Sequence, residues 1–343
     1  MSTLLSVELR APYLIFIGDI ESKLYAKTGL GIVEWRRELV AGQLAFEGNA
    51  LDLGVPYMSI ESAVAAGVKS VVVGVAPVGG TIGPQWIDVL VKAAKADLDI
   101  VSGLHFRLSD YPELKDAAAK SGAALIDVRV PPNDIPVGTG KKRTGKRLLM
   151  VGTDCAVGKK YSALKITETM KAFGLKATFR ASGQTGIMIA GTGIPIDSIV
   201  ADFVSGAAEL LSPDNDPEHW DIIEGQGSLF NASYAGVSLS LLHGSQPDAI
   251  IVCHDPTRCH VSSCPDIIIP TVAECIDLNL RCGRLTNADI KCVGVCINTS
   301  GLSNAERKPY LQKLSEELDL PCIDPLQGGC MEIVHKLLAN GGL

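Results

Sequence analysis

Residues 148–160 read Leu-Leu-Met-Val-Gly-Thr-Asp-Cys-Ala-Val-Gly-Lys-Lys. A short apolar strand runs into a loop bounded by Gly152 and Gly158. The loop ends in Lys159, and a helical pattern follows. Such an order suits a phosphate cradle. Glycines let backbone N–H groups turn inward, a helix N-terminus adds positive potential, and the lysine reaches the terminal phosphates. Gly152, Thr153, Asp154, Cys155, Ala156, Val157, Gly158, Lys159 and Lys160 are therefore the candidates for holding a phosphorylated ligand. Lys160 stands where a nucleotide hydrolase carries Ser or Thr to hold Mg²⁺. The loop thus predicts phosphate binding with a standard part for metal-dependent phosphoryl transfer missing. Ser162 could still reach a metal from the next turn, which weakens ATP use without excluding it.

Further stretches carry chemistry. Asp221-Ile222-Ile223-Glu224-Gly225-Gln226-Gly227-Ser228 puts a carboxylate at the end of a buried strand, followed by two glycines. In loop-type nucleotide binders this position serves Mg²⁺ or a water; a carboxylate capping a turn is the alternative. Phe179-Arg180-Ala181-Ser182-Gly183-Gln184-Thr185 reads as a site lining, with Arg180 suited to bidentate capture of carboxylate or phosphate and Ser182 and Gln184 beside it. His243, before a glycine turn, and His254, after a strand, are each a general base or a structural histidine. Asn298, at a strand end, is placed to hydrogen-bond an adenine edge. Nearer the N-terminus, His105, Arg107 and Arg129 follow strands. If that sheet edge faces the phosphate loop, a ligand lies between two domains.

The elements that must position these residues alternate. Strands are expected at Tyr13 to Gly18, Ser70 to Val75, Asp99 to Ser102 and Ala123 to Val128, with helices at Trp86 to Ala96 and Pro112 to Ser121. This pattern argues a parallel sheet covered on both faces. Gly74 to Gly80 follows a strand as a glycine-rich loop but lacks the dinucleotide pattern. Proline, glycine and charge then replace apolar periodicity, which divides the chain into a domain over 1–130, a linker over 131–146 and a second domain over 147–343. In the second domain Ala163, Leu164, Thr167, Met170 and Phe173 recur at helical spacing. Strands are expected at Lys176 to Phe179, Trp220 to Ile223, Ala249 to Cys253, Asp266 to Ile269 and Lys291 to Ile297. Helices are expected at Glu306 to Leu318 and Met331 to Ala339.

Composition bounds the function. The 343 residues are enough for two cores, no apolar run approaches the ~18 residues of a membrane span, and the first apolar run is too short for a signal peptide. A net charge of −7 argues against a general nucleic-acid binder. A cytoplasmic protein with no membrane and no nucleic-acid partner is expected. All ten cysteines lie at or beyond Cys155, several inside apolar runs, where they read as buried thiols. Cys253-His254, Cys259-His260 and Cys264 could be drawn as a metal site, but paired spacing is missing and no metal is expected there.

Gly152 and Gly158 are one residue further apart than in the common phosphate loop, and Gly152 to Lys159 resembles the longer loop of dethiobiotin synthetases position for position. Four motifs in order, Ser-Gly-Leu-His (102–105), Gly-Thr-Asp-Cys-Ala-Val-Gly-Lys (152–159), Glu-Gly-Gln-Gly-Ser-Leu (224–229) and Leu-Leu-His-Gly-Ser-Gln-Pro-Asp (241–248), resemble the DgcN-like D-glutamate N-acetyltransferases across nearly the whole chain. The resemblance implies an α/β protein of two domains, a Rossmann-like N-terminal parallel sheet and a C-terminal P-loop sheet like that of dethiobiotin synthetase. It also implies acetyl transfer from acetyl-CoA, the co-substrate, to the amine of D-glutamate. CoA carries phosphates but needs no phosphoryl transfer, which suits Lys159 and Lys160 in place of a metal. Glu224 or His243 would take the amine proton, the N–H groups of Gly225 to Gly227 would serve the oxyanion, and Arg180, Arg258 and Arg129 would hold an acidic acceptor. A small acidic amino acid is the expected partner, and a homo-oligomer the expected assembly. The alternatives are an ATP- and Mg²⁺-dependent ligase or carboxylase, and a non-catalytic nucleotide sensor.

Overall fold

The computed structural model describes residues 5–23, 25–77, 80 and 82–339. The chain divides into two compact units, one of Leu5–Pro131 with Gln184–Pro195, the other of Pro132–Gly183 with the residues from Ile196 onward.

The first unit opens with β1 (Leu5–Ser6), β2 (Tyr13–Gly18), α1 (Lys27–Trp35), β3 (Val40–Ala45) and α2 (Ile60–Ala65). It continues with β4 (Ser70–Val73), α3 (Pro84–Lys95), β5 (Asp99–Ser102), α4 (Pro112–Ser121) and β6 (Leu125–Asp127). Five strands form an all-parallel sheet in the order β3-β2-β4-β5-β6. β2 and β4 are buried at every position, so both faces of the sheet are covered and neither strand alternates. Trp86, Ile87, Leu90, Ala93 and Ala94 make the buried stripe of α3. Trp86 packs on Phe16 with ring centroids 4.5 Å apart and donates its indole N–H to Asp19 at 3.1 Å. The strand order reverses between β2 and β4, the point beyond which sheets of this kind bind ligands. Of the glycine-rich loop that follows β4, Val78 and Gly79 lie outside the described residues.

The chain then forms β7 (Lys146–Gly152), α5 (Lys159–Ala172) and β8 (Ala177–Arg180) of the second unit. α6 (Gln184–Ala190) and β9 (Thr192–Gly193) belong to the first unit, where β9 pairs antiparallel with β1. The second unit resumes with α7 (Val204–Leu211), β10 (Trp220–Ile223), α8 (Ala235–Ser245), β11 (Ala249–His254), β12 (His260–Val261) and β13 (Cys264–Ile268). α9 (Val272–Gly283), β14 (Lys291–Ile297), α10 (Asn304–Leu318), β15 (Cys322–Ile323) and α11 (Cys330–Ala339) complete it. Its six-stranded sheet has the order β15-β14-β11-β7-β10-β8 and is parallel throughout.

Two expectations are corrected here. The strand expected at Asp266 to Ile269 is β13, and it does not join the sheet. It pairs with β12 in an antiparallel hairpin, four of its five positions exposed. Pro265 has no N–H for a ladder, which confines such a strand to an edge. The glycine turn expected after His243 is instead the last turn of α8, which ends where Gln246 enters the left-handed region at φ +46°. Gly244 is tolerated in the helix because α7 lies against it: a Cβ there would stand 2.2 Å from the Ser205 carbonyl oxygen.

Candidate functional site

β7 delivers the loop from the middle of its sheet. Thr153 donates its N–H to the Cys253 carbonyl at 3.1 Å, and its hydroxyl pairs with His254 Nδ1 at 3.0 Å. Ala156 and Gly158 take left-handed backbone, φ +54° and +108°, and α5 starts at Lys159. The Lys159 side chain is buried, and its Nζ donates to the Asp154 carbonyl at 2.7 Å. Burial lowers its pKa, against the nearby Cys155, Cys253 and Asp154 that raise it. The lysine stem crosses Gly225. A Cβ there would stand 3.0 Å from Lys159 Cδ and 1.6 Å from the Met150 carbonyl oxygen, so only glycine admits this approach. The Lys160 ammonium lies 4.5 Å over the Tyr161 ring. The Ser162 hydroxyl turns back to the Gly158 carbonyl at 3.1 Å.

Asp154, fully buried, is the hub of the loop. Its Oδ1 accepts from Asn231 Nδ2 at 3.0 Å, and its Oδ2 from the Ser262 N–H at 2.6 Å and Arg258 NH1 at 2.9 Å. Arg258 also donates to the carbonyls of Cys155 (2.8 Å) and Ala156 (3.4 Å).

Glu224 follows β10, the neighbour of β7, and is buried. Its Oε2 accepts the N–H groups of Ser182 (3.0 Å) and Gly183 (3.2 Å), while the Ser182 hydroxyl donates to the Glu224 carbonyl at 2.6 Å and accepts from Gln226 Nε2 at 2.9 Å. Desolvation pushes the Glu224 carboxyl up to about 7, helped by Asp197 and opposed by Lys160 and the two N–H groups. Both N–H groups fall on one oxygen, so a proton goes to Oε1. The site can thus hold a carboxyl poised to gain or lose a proton near neutral pH, one strand away from the glycine-bounded loop.

The other expected residues are placed as follows. Arg180 stands in register with Ile223, yet its Nε reaches back along the sheet to the buried Asp221 at 2.8 Å, a part-buried ion pair. His243 Nε2 pairs with the Cys282 carbonyl at 3.1 Å. The next residues of α8, Gly244 and Ser245, offer their carbonyls to Arg143, which precedes β7, so His243 sits toward the strand starts and the phosphate loop at the strand ends. Asn298 donates to Asp255 at 3.2 Å and accepts the Ser300 N–H at 3.2 Å. In the first unit, Arg129 donates Nε to the Gly103 carbonyl at 3.0 Å, lies 3.2 Å from His105 Nε2, and pairs with Gln184 Oε1. Gln184 thus joins Arg129 and His105, whereas Arg180, Ser182 and Arg258 belong to the second unit. Burial pushes the Cys253 thiol up to about 11, and it donates to Ser162. Among the described residues no group of histidines, cysteines and carboxylates could hold a metal, and no helix is long and apolar enough to cross a membrane. Sequence reasoning missed Asn231 and Asp197. Asn231 lies in the connection after β10 and Asp197 in a single helical turn at 196–198, neither long enough for periodicity, and only the fold brings them to Asp154 and Glu224.

Two parallel sheets and a glycine-bounded loop leading to a buried lysine define a two-domain α/β protein of the P-loop kind. The chain matches the domain of unknown function DUF1611_C, a P-loop domain, over residues 136–334, and DUF1611_N, a Rossmann-like domain, over residues 41–131. It belongs to the DUF1611 family, in which its relatives include the D-glutamate N-acetyltransferases that the four motifs resemble. It is 47% identical over 331 residues to the D-glutamate N-acetyltransferase of Tritonibacter scottomollicae, covering 96% of this chain and 99% of that one. It is 43% identical over 331 residues to the D-glutamate N-acetyltransferase of a Pseudoalteromonas species, covering 96% and 100%. The crystal structure of a DUF1611 family protein from Anabaena variabilis ATCC 29413 superposes with a TM-score of 0.86 at 28% identity, over 97% of this chain and 100% of that one.

Proposed function

We propose that this protein is an N-acetyltransferase that moves the acetyl group of acetyl-CoA to the amine of D-glutamate. The observation that carries the reading is its 47% identity, across 96% of the chain, to a protein named for that activity. The site supports it. The loop around Lys159 has the donors for CoA phosphates, and Lys160 supplies positive charge where a metal-binding hydroxyl would stand.

Glu224 is the base in this reading. The neutral amine attacks the thioester carbonyl, the C–N bond forms and the C–S bond breaks. Glu224 takes the amine proton, and the CoA sulfur leaves and is protonated to the thiol. Only ionised Glu224 accepts a proton, and its pKa of about 7 keeps a large share of it ionised at neutral pH. The N–H groups of Gly225 to Gly227 stabilise the oxyanion. Purified protein incubated with acetyl-CoA and a panel of D- and L-amino acids, followed by mass spectrometry, tests the proposal. Acetylation of D-glutamate ahead of the other acceptors is expected. Absence of any acetylated amino acid, with ATP turned over instead, contradicts it.

A further inference from the structure

We propose that Arg258 is a positioning residue, which together with Asn231 and Ser262 straps the phosphate loop in its binding shape through Asp154. The proposal rests on the reading that this loop holds CoA, and it reassigns Arg258 from the acceptor to the loop. The guanidinium spends its donors on the loop: NH1 on Asp154 Oδ2 and the Cys155 carbonyl, NH2 on the Ala156 carbonyl, with Nε 3.8 Å from Asp255. The far side of the strap is the β12–β13 hairpin. Ser262 gives its N–H to Asp154 and accepts Asn231 Nδ2 at its carbonyl, 3.2 Å away.

The direction of the peptide planes explains what the strap does. In a trans peptide the carbonyl and the next N–H point opposite ways. Lys159 holds the carbonyl of Asp154, and Arg258 those of Cys155 and Ala156, so the N–H groups of Cys155, Ala156 and Val157 are all turned away from these cations. Arg258 thereby fixes the peptide planes that carry the Ala156 and Val157 N–H groups before an anion arrives. Ala156 pays for this with a left-handed backbone that a non-glycine residue keeps only where its surroundings enforce it. The fully buried Asp154 carboxylate needs cations: Arg258 is its direct ion-pair partner, with Lys159 nearby.

The test is amide hydrogen exchange of residues 152–159 in the ligand-free protein, with CoA affinity by calorimetry and the KM for D-glutamate beside it. In Arg258→Gln, exchange should accelerate by about tenfold or more and CoA affinity fall by about ten- to hundred-fold, the range set by losing a charge-assisted hydrogen bond. The KM for D-glutamate should stay within about twofold, since both terminal nitrogens of Arg258 are directed at the loop. Adding Asp154→Asn should recover part of the loss, because no carboxylate is then buried without its cation. Asn231→Ala should loosen the loop in the same direction with a milder perturbation, which keeps the idea testable if Arg258→Gln does not fold. Unchanged loop exchange in these variants, a double variant no better than Arg258→Gln, or a raised D-glutamate KM with normal CoA affinity overturns the strap. A wild-type protein that neither binds CoA nor acetylates D-glutamate sinks the functional reading, while loop exchange still decides the strap.

Discussion

At Glu224 the chemistry turns on a contest between burial and hydrogen bonding. Two N–H groups and Lys160 favour the carboxylate, yet desolvation is the larger effect and the carboxyl is pushed up to about 7. In the unfolded chain it titrates near 4.5. The stability it contributes is therefore complete below pH 4.5 and is lost as pH rises to about 7, because ionisation then favours the unfolded chain. Glu224→Gln should flatten that stretch of the stability–pH curve, as read by urea unfolding at several pH values. In kcat/KM the same group acts in the opposite sense: the wild type should gain activity as pH rises through about 7. The Gln variant should lose turnover by on the order of 10²–10⁴. His243→Ala is the control and should stay near the wild-type rate, since that imidazole is hydrogen-bonded to the Cys282 carbonyl. Near-normal turnover in Glu224→Gln with collapse in His243→Ala would move the base to the histidine. The acid at the end of β10 was legible because strand, carboxylate and glycines are local. The partners of Arg180 were not, because Asp221 meets it only through pairing of β8 with β10.

Among the elements, the phosphate loop was readable for the same reason: its strand, glycines, lysine and helix are contiguous. Lys159→Ala should weaken CoA binding by roughly 10- to 150-fold, from the ~1.5–3 kcal/mol of a charge-assisted contact. An unchanged Kd in a folded variant would remove the loop from the site. The helices α7 and α8 left little trace in the sequence. Val204–Leu211 is almost wholly small and apolar, so no polar face sets off an apolar one. Small residues instead let the two helices approach closely, and Gly244 is the contact. Gly244→Ala should cost about 1–3 kcal/mol in urea unfolding, the usual penalty of overpacking. No measurable loss would mean that α7 yields freely. α9 did carry a signal, the Thr271/Glu274 capping box, which points to a helix start independently of periodicity.

For the whole molecule, two parallel sheets and their strand order follow from short β-branched runs separated by helices, the part of the fold that hydrophobic pattern reports best. What pattern could not report is that residues 184–195 belong with the first unit although the second unit surrounds them in sequence. An N-terminal strand of two residues paired with β9 is too short to show periodicity. That excursion brings Gln184 to Arg129. The central claim is that a phosphate loop lacking the metal-binding hydroxyl serves acetyl transfer. It is tested most directly by following N-acetyl-D-glutamate formation from acetyl-CoA by mass spectrometry, with EDTA and with Mg²⁺. The account predicts product at the same rate in both and none from ATP with acetate. Product that forms only with ATP and Mg²⁺, or a rate abolished by EDTA, would contradict it.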